Sequence, residues 1–207
     1  MLQHRTDYRN AVQERGANRE RLRQLIRSES LLIGEFTLAS GQHSNYFLDL
    51  KKTMFHPEGA FLVSEIIYDM IKDETDVEYI GGLEMGAVPI VVAVSLRSWL
   101  DRPLKPFFVR KTPKDNGAIK LIDGQFEPGA NVIIFEDVTT TGGSALKAVK
   151  AVREQGGVVK KILTVVDRCE GAKDNLARES LSLVQIFTID DIAPYDHKNH
   201  RVVASKA

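Results

Sequence analysis

The chain has 207 residues, of which 43% are hydrophobic, and its 28 basic residues balance its 28 acidic residues. This length suits one domain, or one domain with small appendages, and the balanced charge argues against a nucleic-acid partner. Cys169 is the single cysteine, which excludes an internal disulfide and favours a reducing compartment. No apolar run is long enough to span a membrane and the N-terminus has no secretory signal, so we expect a cytoplasmic protein without a membrane partner.

Residues 1–28 differ from the rest of the chain, because they contain seven arginines and few large apolar residues. Leu22, Leu25 and Ile26 have helical spacing. We therefore predict a polar leader followed by an amphipathic helix that ends near Gly34. A solvated helix that docks on the body of the protein is favoured over a nucleic-acid-binding arm.

From residue 57 onward, apolar helices alternate with short apolar strands. This alternation predicts an α/β fold with a central, mostly parallel sheet flanked by helices. Ligands of such sheets bind beyond the carboxyl ends of the strands, here the loops after residues 80, 109, 135 and 166. Helices are predicted at 57–71, 88–100 and 143–155, strands at 77–80, 106–109, 131–135, 158–166 and 183–189, and a charged loop at 111–124.

Residues 132–144 carry the strongest functional signal. An apolar strand is followed by Glu136 and Asp137, and then by a Thr/Gly/Ser run that leads into a helix. The free N–H groups of a helix N-terminus, approached through glycines, form a cradle for phosphate. Two carboxylates directly before it suit the vicinal hydroxyls of a ribose. A ribose that carries a 5-phosphate explains both halves of the segment.

Other interpretations of this segment are weaker. A helix capped by Thr or Ser would explain the Thr/Gly run alone, but not the acidic pair at the end of a buried strand. The segment lacks the Gly-Lys-Ser/Thr of a Walker A loop. It also lacks the Gly-x-Gly-x-x-Gly fingerprint of dinucleotide-binding folds.

The segment resembles the phosphoribosyl pyrophosphate (PRPP) signature of type I phosphoribosyltransferases. The resemblance implies their fold over residues 29–207, with a hood near 33–52 and a catalytic core near 57–190. It implies that Glu136 and Asp137 bind the ribose hydroxyls. It also implies that the 5-phosphate is bound by Val138, Thr139, Thr140, Thr141, Gly142, Gly143 and Ser144.

Two further segments resemble parts of the orotate phosphoribosyltransferases. Residues 36–49 are similar to the N-terminal segment that covers the base, which implies that Phe47 and Leu48 line orotate. Residues 165–171 are similar to the strand end whose arginine, here Arg168, pairs with the orotate carboxylate in a bidentate manner. The resemblance also places Thr140 against the base.

Two loops resemble those that hold the pyrophosphate of PRPP in this family. Residues 82–89 match the loop between a strand and a helix, and residues 110–124 match the mobile catalytic loop. Composition alone would favour a solvated surface loop for the latter, but its position after a strand of the sheet favours function. Cations there suit a leaving group whose negative charge grows. The contacts implied are Glu84, Met85, Arg110, Lys111, Lys114 and Asn116.

Several positions depart from the family pattern. Many members have a lysine where this chain has Met85, some have one at Ala39, and many have a histidine at Asn116. The acidic pair is Glu-Asp rather than Asp-Asp. The remaining loop cations are therefore expected to carry more of the pyrophosphate contact, and Asn116 can donate a hydrogen bond but cannot titrate.

The resemblance implies transfer of the phosphoribosyl group of PRPP to orotate, giving orotidine 5′-monophosphate and pyrophosphate. The expected catalytic residues are Lys114, Lys111, Arg110 and Asp137. Mg²⁺ is the expected cofactor, held largely by substrate phosphates and water, so no metal site made of protein ligands alone is assigned. A homodimer is also implied, in which each catalytic loop reaches the active site of the partner.

Two other functions stay open at this point. A salvage phosphoribosyltransferase would take another base, which the 36–49 segment and Arg168 argue against. A regulator that senses PRPP without catalysis would be expected to lose the loop cations or to add a DNA-binding module. Lys111 and Lys114 are present, and residues 1–28 are too short for a convincing module.

Overall fold

The computed structural model describes residues 16–37, 43–99, 101–112, 121–199 and 201–203. The helices are α1 (16–25, continued by a π-helical turn at Ile26–Ser30), α2 (Leu50–Met54), α3 (Pro57–Ile71), α4 (Ala87–Ser98), α5 (Gly143–Glu154), α6 (Ala172–Ala177) and α7 (Ile189–Ile192). The strands are β1 (Leu31–Thr37), β2 (His43–Leu48), β3 (Tyr79–Gly81), β4 (Lys105–Val109), β5 (Ile122–Gly124), β6 (Asn131–Thr139), β7 (Val158–Asp167), β8 (Leu183–Thr188), β9 (Tyr195–Asp196) and β10 (Arg201–Val202).

A six-stranded sheet with the order β5-β4-β3-β6-β7-β8 forms the centre of the molecule. All its strand pairs are parallel except β4–β5, which is antiparallel. The predicted α/β fold with a mostly parallel sheet is therefore confirmed. The carboxyl ends of β3, β4, β6 and β7 lie at one edge, as a parallel sheet requires, and the loops singled out in the sequence leave from that edge.

Strand β6 is apolar over most of its length because both faces of the sheet are covered. Ile133 and Phe135 pack into one hydrophobic core together with α3 and α4. Val132 and Ile134 pack into the other core, against α5. Successive side chains of a strand point to opposite faces, so a strand buried on both faces has a continuous apolar run.

A small antiparallel hairpin, β1–β2, lies outside the main sheet. It is joined to the C-terminal β9–β10 hairpin through the side chain of Asn45. The Asn45 amide donates to the carbonyl of Val202 at 2.6 Å and accepts the N–H of Val202 at 2.9 Å. None of the helices in the described ranges has the length and apolar character needed to cross a bilayer.

Several predicted element boundaries are wrong. The first helix ends at Ser30 rather than near Gly34, because Leu31–Thr37 pairs with β2 as a strand. Strand β6 does not stop at Phe135 but runs through the acidic pair to Thr139, since Glu136 lies opposite Thr164 of β7 and Thr139 opposite Asp167.

Other elements were missed. The charged loop predicted at 111–124 ends in a strand, Ile122–Gly124, which pairs with β4. The strand near residue 183 is not the last, because β9 and β10 follow it. The short helices α2, α6 and α7 have too few turns for an apolar period to be recognised in the sequence.

The end of α1, helix α2 and the start of α3 pack closely against one another. The buried hydroxyls of Ser30 and Thr53 lie 2.6 Å apart, and the N–H of Thr53 donates to the Ser30 hydroxyl at 3.2 Å. Gly59 of α3 lies against this junction, where a Cβ atom would stand 2.0 Å from the carbonyl oxygen of Thr53. The two helices can approach this closely only because residue 59 has no side chain.

We predict that Gly59→Ala destabilises the fold. Alanine normally stabilises a helix by up to about 1 kcal/mol relative to glycine, but the clash should reverse this sign and lower the free energy of unfolding by about 1–3 kcal/mol. Urea denaturation measures the change. Gly34→Ala is the control, since its new methyl would meet only the Phe36 ring at 3.6 Å. A stabilised Gly59→Ala variant would contradict the packing argument.

Candidate active site

Two adjacent carboxylates lie at the carboxyl end of β6. Glu136 is only 5% exposed, and its Oε1 atom is buried without a hydrogen-bond partner among the described residues. Asp137 is half-buried, and its Oδ1 atom accepts the N–H of Val138 at 2.8 Å. A buried acceptor without a partner is unfavourable in a folded protein, so Glu136 has an oxygen available to accept a hydrogen bond from a ligand hydroxyl.

The electrostatics of the pair reflect this burial. Loss of solvation, and then the neighbouring charge of Asp137, raise the pKa of Glu136 to about 8, against a smaller opposing effect of Lys111. Burial also raises the pKa of Asp137, and the N–H of Val138 and the charge of Lys51 oppose that rise. Glu136 is therefore mostly protonated near neutral pH in the free protein, and additional cations or donors would favour the ionised form.

The turn from β6 into α5 leaves its N–H groups free. The N-cap of α5 is Gly142, in the left-handed region at φ 84°, and no side chain caps the helix. The alternative prediction for this segment, a helix whose N-terminus is capped by a Thr or Ser side chain, is therefore wrong. The Asn175 amide donates to the carbonyl of Thr141 at 2.9 Å and so braces the turn from α6.

A small cavity lies over this turn. The Oγ1 atom of Thr139 is buried there without a partner among the described residues. An uncapped helix N-terminus with hydroxyls beside it is a site for a phosphate group. The cavity is lined by Glu136, Val138, Thr139, Thr140, Gly142, Gly143, Ser144 and Ala145.

The loop after β3 packs directly on the acidic pair. A Cβ atom on Gly86 would stand 2.4 Å from Oδ1 of Asp137. The peptide bond between Glu84 and Met85 is cis, and the Met85 side chain is exposed. Glu84 faces the next loop instead, where its Oε1 atom accepts the backbone N–H of Lys111 at 2.8 Å. Glu84 thus connects the loop after β3 with the loop after β4.

The cationic side chains predicted to contact pyrophosphate differ in their surroundings. Arg110 forms an ion pair with Asp123 at 3.1 Å, and its Nε–H donates to the carbonyl of Thr112. Lys111 is exposed at the site edge, and its charge acts on Glu136. Lys114 and Asn116 lie outside the described residues, as does Ala39.

Arg168 stands at the carboxyl end of β7, next to the end of β6. Its backbone N–H donates to the carbonyl of Thr139 at 2.9 Å. Its guanidinium lies 4.7 Å from the centre of the Tyr46 ring, and its Nη2 atom is 2.8 Å from Oε1 of Glu170. The side chain is 12% exposed, and Nε has no partner among the described residues, so donors are left for a ligand.

The predicted base-contacting residues of the hairpin point in opposite directions. Phe47 is 41% exposed, and its ring centre lies 5.8 Å from that of Phe36. Leu48 is buried in the hydrophobic core, as is Tyr46. Thr140 is half-buried in the turn after β6. Sequence reasoning missed Tyr46, because only the fold brings this residue of the hairpin against Arg168. It also missed Glu170, although this acid is only two residues after Arg168 and its proximity could have been noticed in the sequence.

We predict that Glu136→Gln changes how stability depends on pH. The pKa of Glu136 is about 8 in the folded protein against an ordinary value of 4.5. A carboxyl whose folded pKa is raised stabilises the protein fully below its unfolded pKa, and this contribution is lost as the pH rises through the folded pKa. The wild type should therefore lose stability relative to Glu136→Gln between about pH 5 and about pH 9.

Urea denaturation across that range measures the effect. Glu154→Gln, at an exposed position of α5, is the control and should keep the wild-type slope. Parallel pH profiles for the wild type and Glu136→Gln would show that Glu136 is not held neutral by burial.

Comparison with known proteins identifies the family of the chain. No protein-family model matches the sequence. The orotate phosphoribosyltransferase of Rhodopseudomonas palustris (strain BisB5) is 48% identical over 178 residues, which cover 84% of this chain and 95% of that protein. The orotate phosphoribosyltransferase of Methanocaldococcus jannaschii is 52% identical over 160 residues, which cover 77% of this chain and 88% of that protein.

Solved structures of similar proteins include orotate phosphoribosyltransferases. The orotate phosphoribosyltransferase of Mycobacterium tuberculosis H37Rv, in complex with Fe(III) dicitrate, superposes with a TM-score of 0.76 at 35% identity and covers 84% of this chain and 98% of that one. In complex with PRPP, the same enzyme gives a TM-score of 0.70 at 30% identity, with 86% and 92% covered. This chain therefore belongs to the orotate phosphoribosyltransferases, a family of transferases.

Proposed function

We propose that the protein transfers the phosphoribosyl group of PRPP to N1 of orotate, with inversion at C1 of the ribose, and releases pyrophosphate. The observation that carries this proposal is the buried Glu136–Asp137 pair beside the uncapped N-terminus of α5. One ligand, a ribose 5-phosphate, satisfies both features. The related enzyme of Mycobacterium tuberculosis has been solved with PRPP bound, which supports the same substrate here.

The ribose 5-phosphate part of PRPP is assigned to β6 and the turn after it. Glu136 and Asp137 accept hydrogen bonds from the ribose hydroxyls, and the buried Oε1 atom of Glu136 gains the partner that it lacks. Residues 138–144 surround the 5-phosphate with backbone N–H groups and hydroxyls. Both contacts exist before the chemical step, so they position the substrate and stabilise it in the ground state.

The pyrophosphate part is assigned to the loops after β3 and β4. Glu84 and Met85 form one side, and Arg110, Lys111, Lys114 and Asn116 form the other. Because Arg110 is paired with Asp123, its guanidinium must be shared between that carboxylate and the leaving group. Cations that approach the departing pyrophosphate stabilise the charge that grows on it, and closure of the loop would exclude water.

Orotate is assigned to the space beside Arg168 and Thr140. Of the two hairpin residues predicted to line the base, Phe47 has an exposed ring, whereas the Leu48 side chain is buried in the core and leaves only its backbone for such a contact. Arg168 is held by stacking on Tyr46, so its fork is oriented before the base arrives. Its partner Glu170 must give up or share the guanidinium when the orotate carboxylate binds. A planar guanidinium can form two parallel hydrogen bonds to that carboxylate.

Mg²⁺ is the cofactor that this donor set fits. Among the described residues, no three acidic, histidine or cysteine side chains converge on one point. Asp137 and Glu136 offer hard oxygen donors but too few for six-fold coordination, so the remaining ligands would be substrate oxygens and water. Bound Mg²⁺ would neutralise charge on the pyrophosphate, while Asp137 and the loop lysines orient the ribose and the leaving group.

We also infer a homodimer in a reducing, cytoplasmic environment. Val92 and Leu96 of α4 form an apolar stripe with Trp99, the residue directly after the helix, and these residues are 58%, 74% and 73% exposed. Such a stripe, at the spacing of one helix face, is typical of a surface covered by another copy of the chain. The single cysteine Cys169 agrees with a reducing compartment.

A salvage enzyme for another base is the second candidate. Arg168 argues against it, because a base without a carboxylate would leave a largely buried guanidinium with unused donors. The regulator that only senses PRPP is disfavoured by the cation Lys111 beside the acidic pair. A spectrophotometric assay with orotate, PRPP and Mg²⁺ separates the proposed enzyme from both alternatives, because only the proposed enzyme consumes orotate.

We predict that Arg168→Ala abolishes most of this activity. Loss of a buried charge partner should cost about 3–5 kcal/mol, so kcat/KM for orotate should fall at least about a hundredfold. PRPP affinity, measured by calorimetry, should stay close to that of the wild type. Arg153→Ala is the control, because Arg153 is also ion-paired, with Glu179 at 2.9 Å, but lies at the far end of α5. Equal loss of both substrates would remove Arg168 from base recognition.

We further predict that the catalytic loop acts on the partner subunit. Lys114→Ala and Asp137→Ala homodimers should each be nearly inactive. When the two are mixed and exchange subunits, about half of the dimers are mixed, and each of these has one site without either defect, so about a quarter of wild-type activity should return. Differential tags confirm that mixed dimers form. If they form and no activity returns, the loop serves its own subunit.

A further inference from the structure

The C-terminal hairpin, β9–β10, contacts a residue that supports Arg168. Tyr195 is the first residue of β9, and its ring meets the ring of Tyr46 edge to face, with the two centres 5.7 Å apart. The hairpin follows the catalytic core predicted near 57–190, and the sequence assigns no functional residue to it. Its contact with Tyr46 nevertheless leads directly to the base site.

Tyr46 links the hairpin to Arg168. The Tyr46 side chain is fully buried, and its ring centre lies 4.7 Å from the guanidinium of Arg168. A buried ring that packs against two neighbours cannot move away from one without disturbing the other. Tyr195 therefore limits where the Tyr46 ring, and with it the guanidinium of Arg168, can lie.

The hairpin is fixed to β2 at the residue next to Tyr46. Asn45 makes the two hydrogen bonds to the backbone of Val202 described above, at 2.6 Å and 2.9 Å. Val202 of β10 is the residue that pairs with Tyr195 of β9. Two consecutive residues of β2 are thus joined to two paired residues of the hairpin, which holds the Tyr195 ring in register with the Tyr46 ring.

The Tyr195 ring is also supported on its other side. The ring of His197 meets it edge to face at 5.0 Å, and Nε2 of His197 lies 2.7 Å from Oδ2 of Asp190 in α7. The phenol oxygens of Tyr46 and Tyr195 are buried without a hydrogen-bond partner among the described residues. The contact between the two rings therefore depends on their packing rather than on their hydroxyls.

We propose that Tyr195 is a positioning residue for orotate recognition, which acts through Tyr46 to hold the Arg168 guanidinium in the orientation that the orotate carboxylate needs. The inference rests on the proposed function, in which Arg168 binds that carboxylate. A planar guanidinium forms two parallel hydrogen bonds to a carboxylate in only a narrow range of orientations. A small rotation of the Arg168 side chain would lose one of them, so the support behind it sets the affinity for the base.

The test replaces the ring in the full-length protein. Tyr195→Leu should raise KM for orotate roughly three- to tenfold at saturating PRPP with Mg²⁺, the loss expected for one aromatic pair. The value of kcat should stay nearly unchanged, because the contact acts equally on the bound base and on the transition state. PRPP affinity, measured by calorimetry, should equal that of the wild type. Tyr195→Phe should restore the orotate KM, because the ring packing is kept.

Phe126→Leu is the matched control. Phe126 is also half-buried and meets the Tyr79 ring edge to face at 5.8 Å. It packs at the amino end of β7, where a Cβ atom on Gly157 would stand 2.6 Å from its ring. Phe126→Leu should therefore lower the temperature of thermal unfolding but leave the orotate KM at the wild-type value.

A second variant breaks the same support without touching either ring. Asn45→Ala removes both hydrogen bonds to Val202 and should also raise the orotate KM without changing PRPP affinity. Thermal unfolding shows whether Tyr195→Leu is folded, and Asn45→Ala decides the question if it is not. Equal weakening of orotate and PRPP in the folded variants would overturn the proposal, because it would reflect a general loss of structure.

The Arg168→Ala background tests whether Tyr195 acts through Arg168. Adding Tyr195→Leu to Arg168→Ala should not lower kcat/KM for orotate further, because the group that Tyr195 positions is gone. An equal loss in both backgrounds would overturn the proposal. Failure of the wild type to consume orotate would refute the proposed function itself. Consumption by the wild type, with an unchanged orotate KM in Tyr195→Leu and Asn45→Ala, would refute this inference alone.

Discussion

The arrangement of the site depends on one unfavourable feature, the burial of two neighbouring carboxylates at the end of β6. Glu136 and Asp137 are part of the strand, so their positions are fixed by the sheet rather than by a loop. Loss of solvation disfavours their charged forms, as the raised pKa of each shows. The free protein keeps them in place because the strand between β3 and β7 is stabilised by two hydrophobic cores.

The loops around the two carboxylates contact them directly or place positive charge near them. Gly86 allows the loop after β3 to touch Asp137, and Glu84 connects that loop to the backbone of Lys111. The charge of Lys111 opposes the rise in the pKa of Glu136, and the charge of Lys51 opposes that of Asp137, although burial has the larger effect in both. Each of these contacts joins segments that are far apart in sequence. A substitution in one loop should therefore change the environment of the two carboxylates.

Much of this could be predicted from the sequence where the signal is local. The alternation of apolar helices and strands predicted the parallel sheet. The consecutive apolar run, acidic pair and Thr/Gly run predicted a buried strand that turns into a helix, as β6 and α5 do; the binding of a ribose 5-phosphate there stays a prediction. What could not be predicted depends on contacts between distant segments. Leu31–Thr37 forms a strand by pairing with β2, Gly142 rather than a hydroxyl residue is the N-cap of α5, and the short helix α2 lies near β6.

The most direct test of the account is the binding of PRPP with Mg²⁺ to Asp137→Asn, measured by calorimetry. The substitution keeps the size of the side chain but removes its charge and one acceptor. Asp73→Asn, at an exposed position after α3 and away from the carboxyl edge of the sheet, is the matched control. The account predicts a loss of affinity of at least about tenfold for Asp137→Asn and none for Asp73→Asn. Unchanged affinity in Asp137→Asn would mean that the acidic pair is structural, which would contradict the central claim.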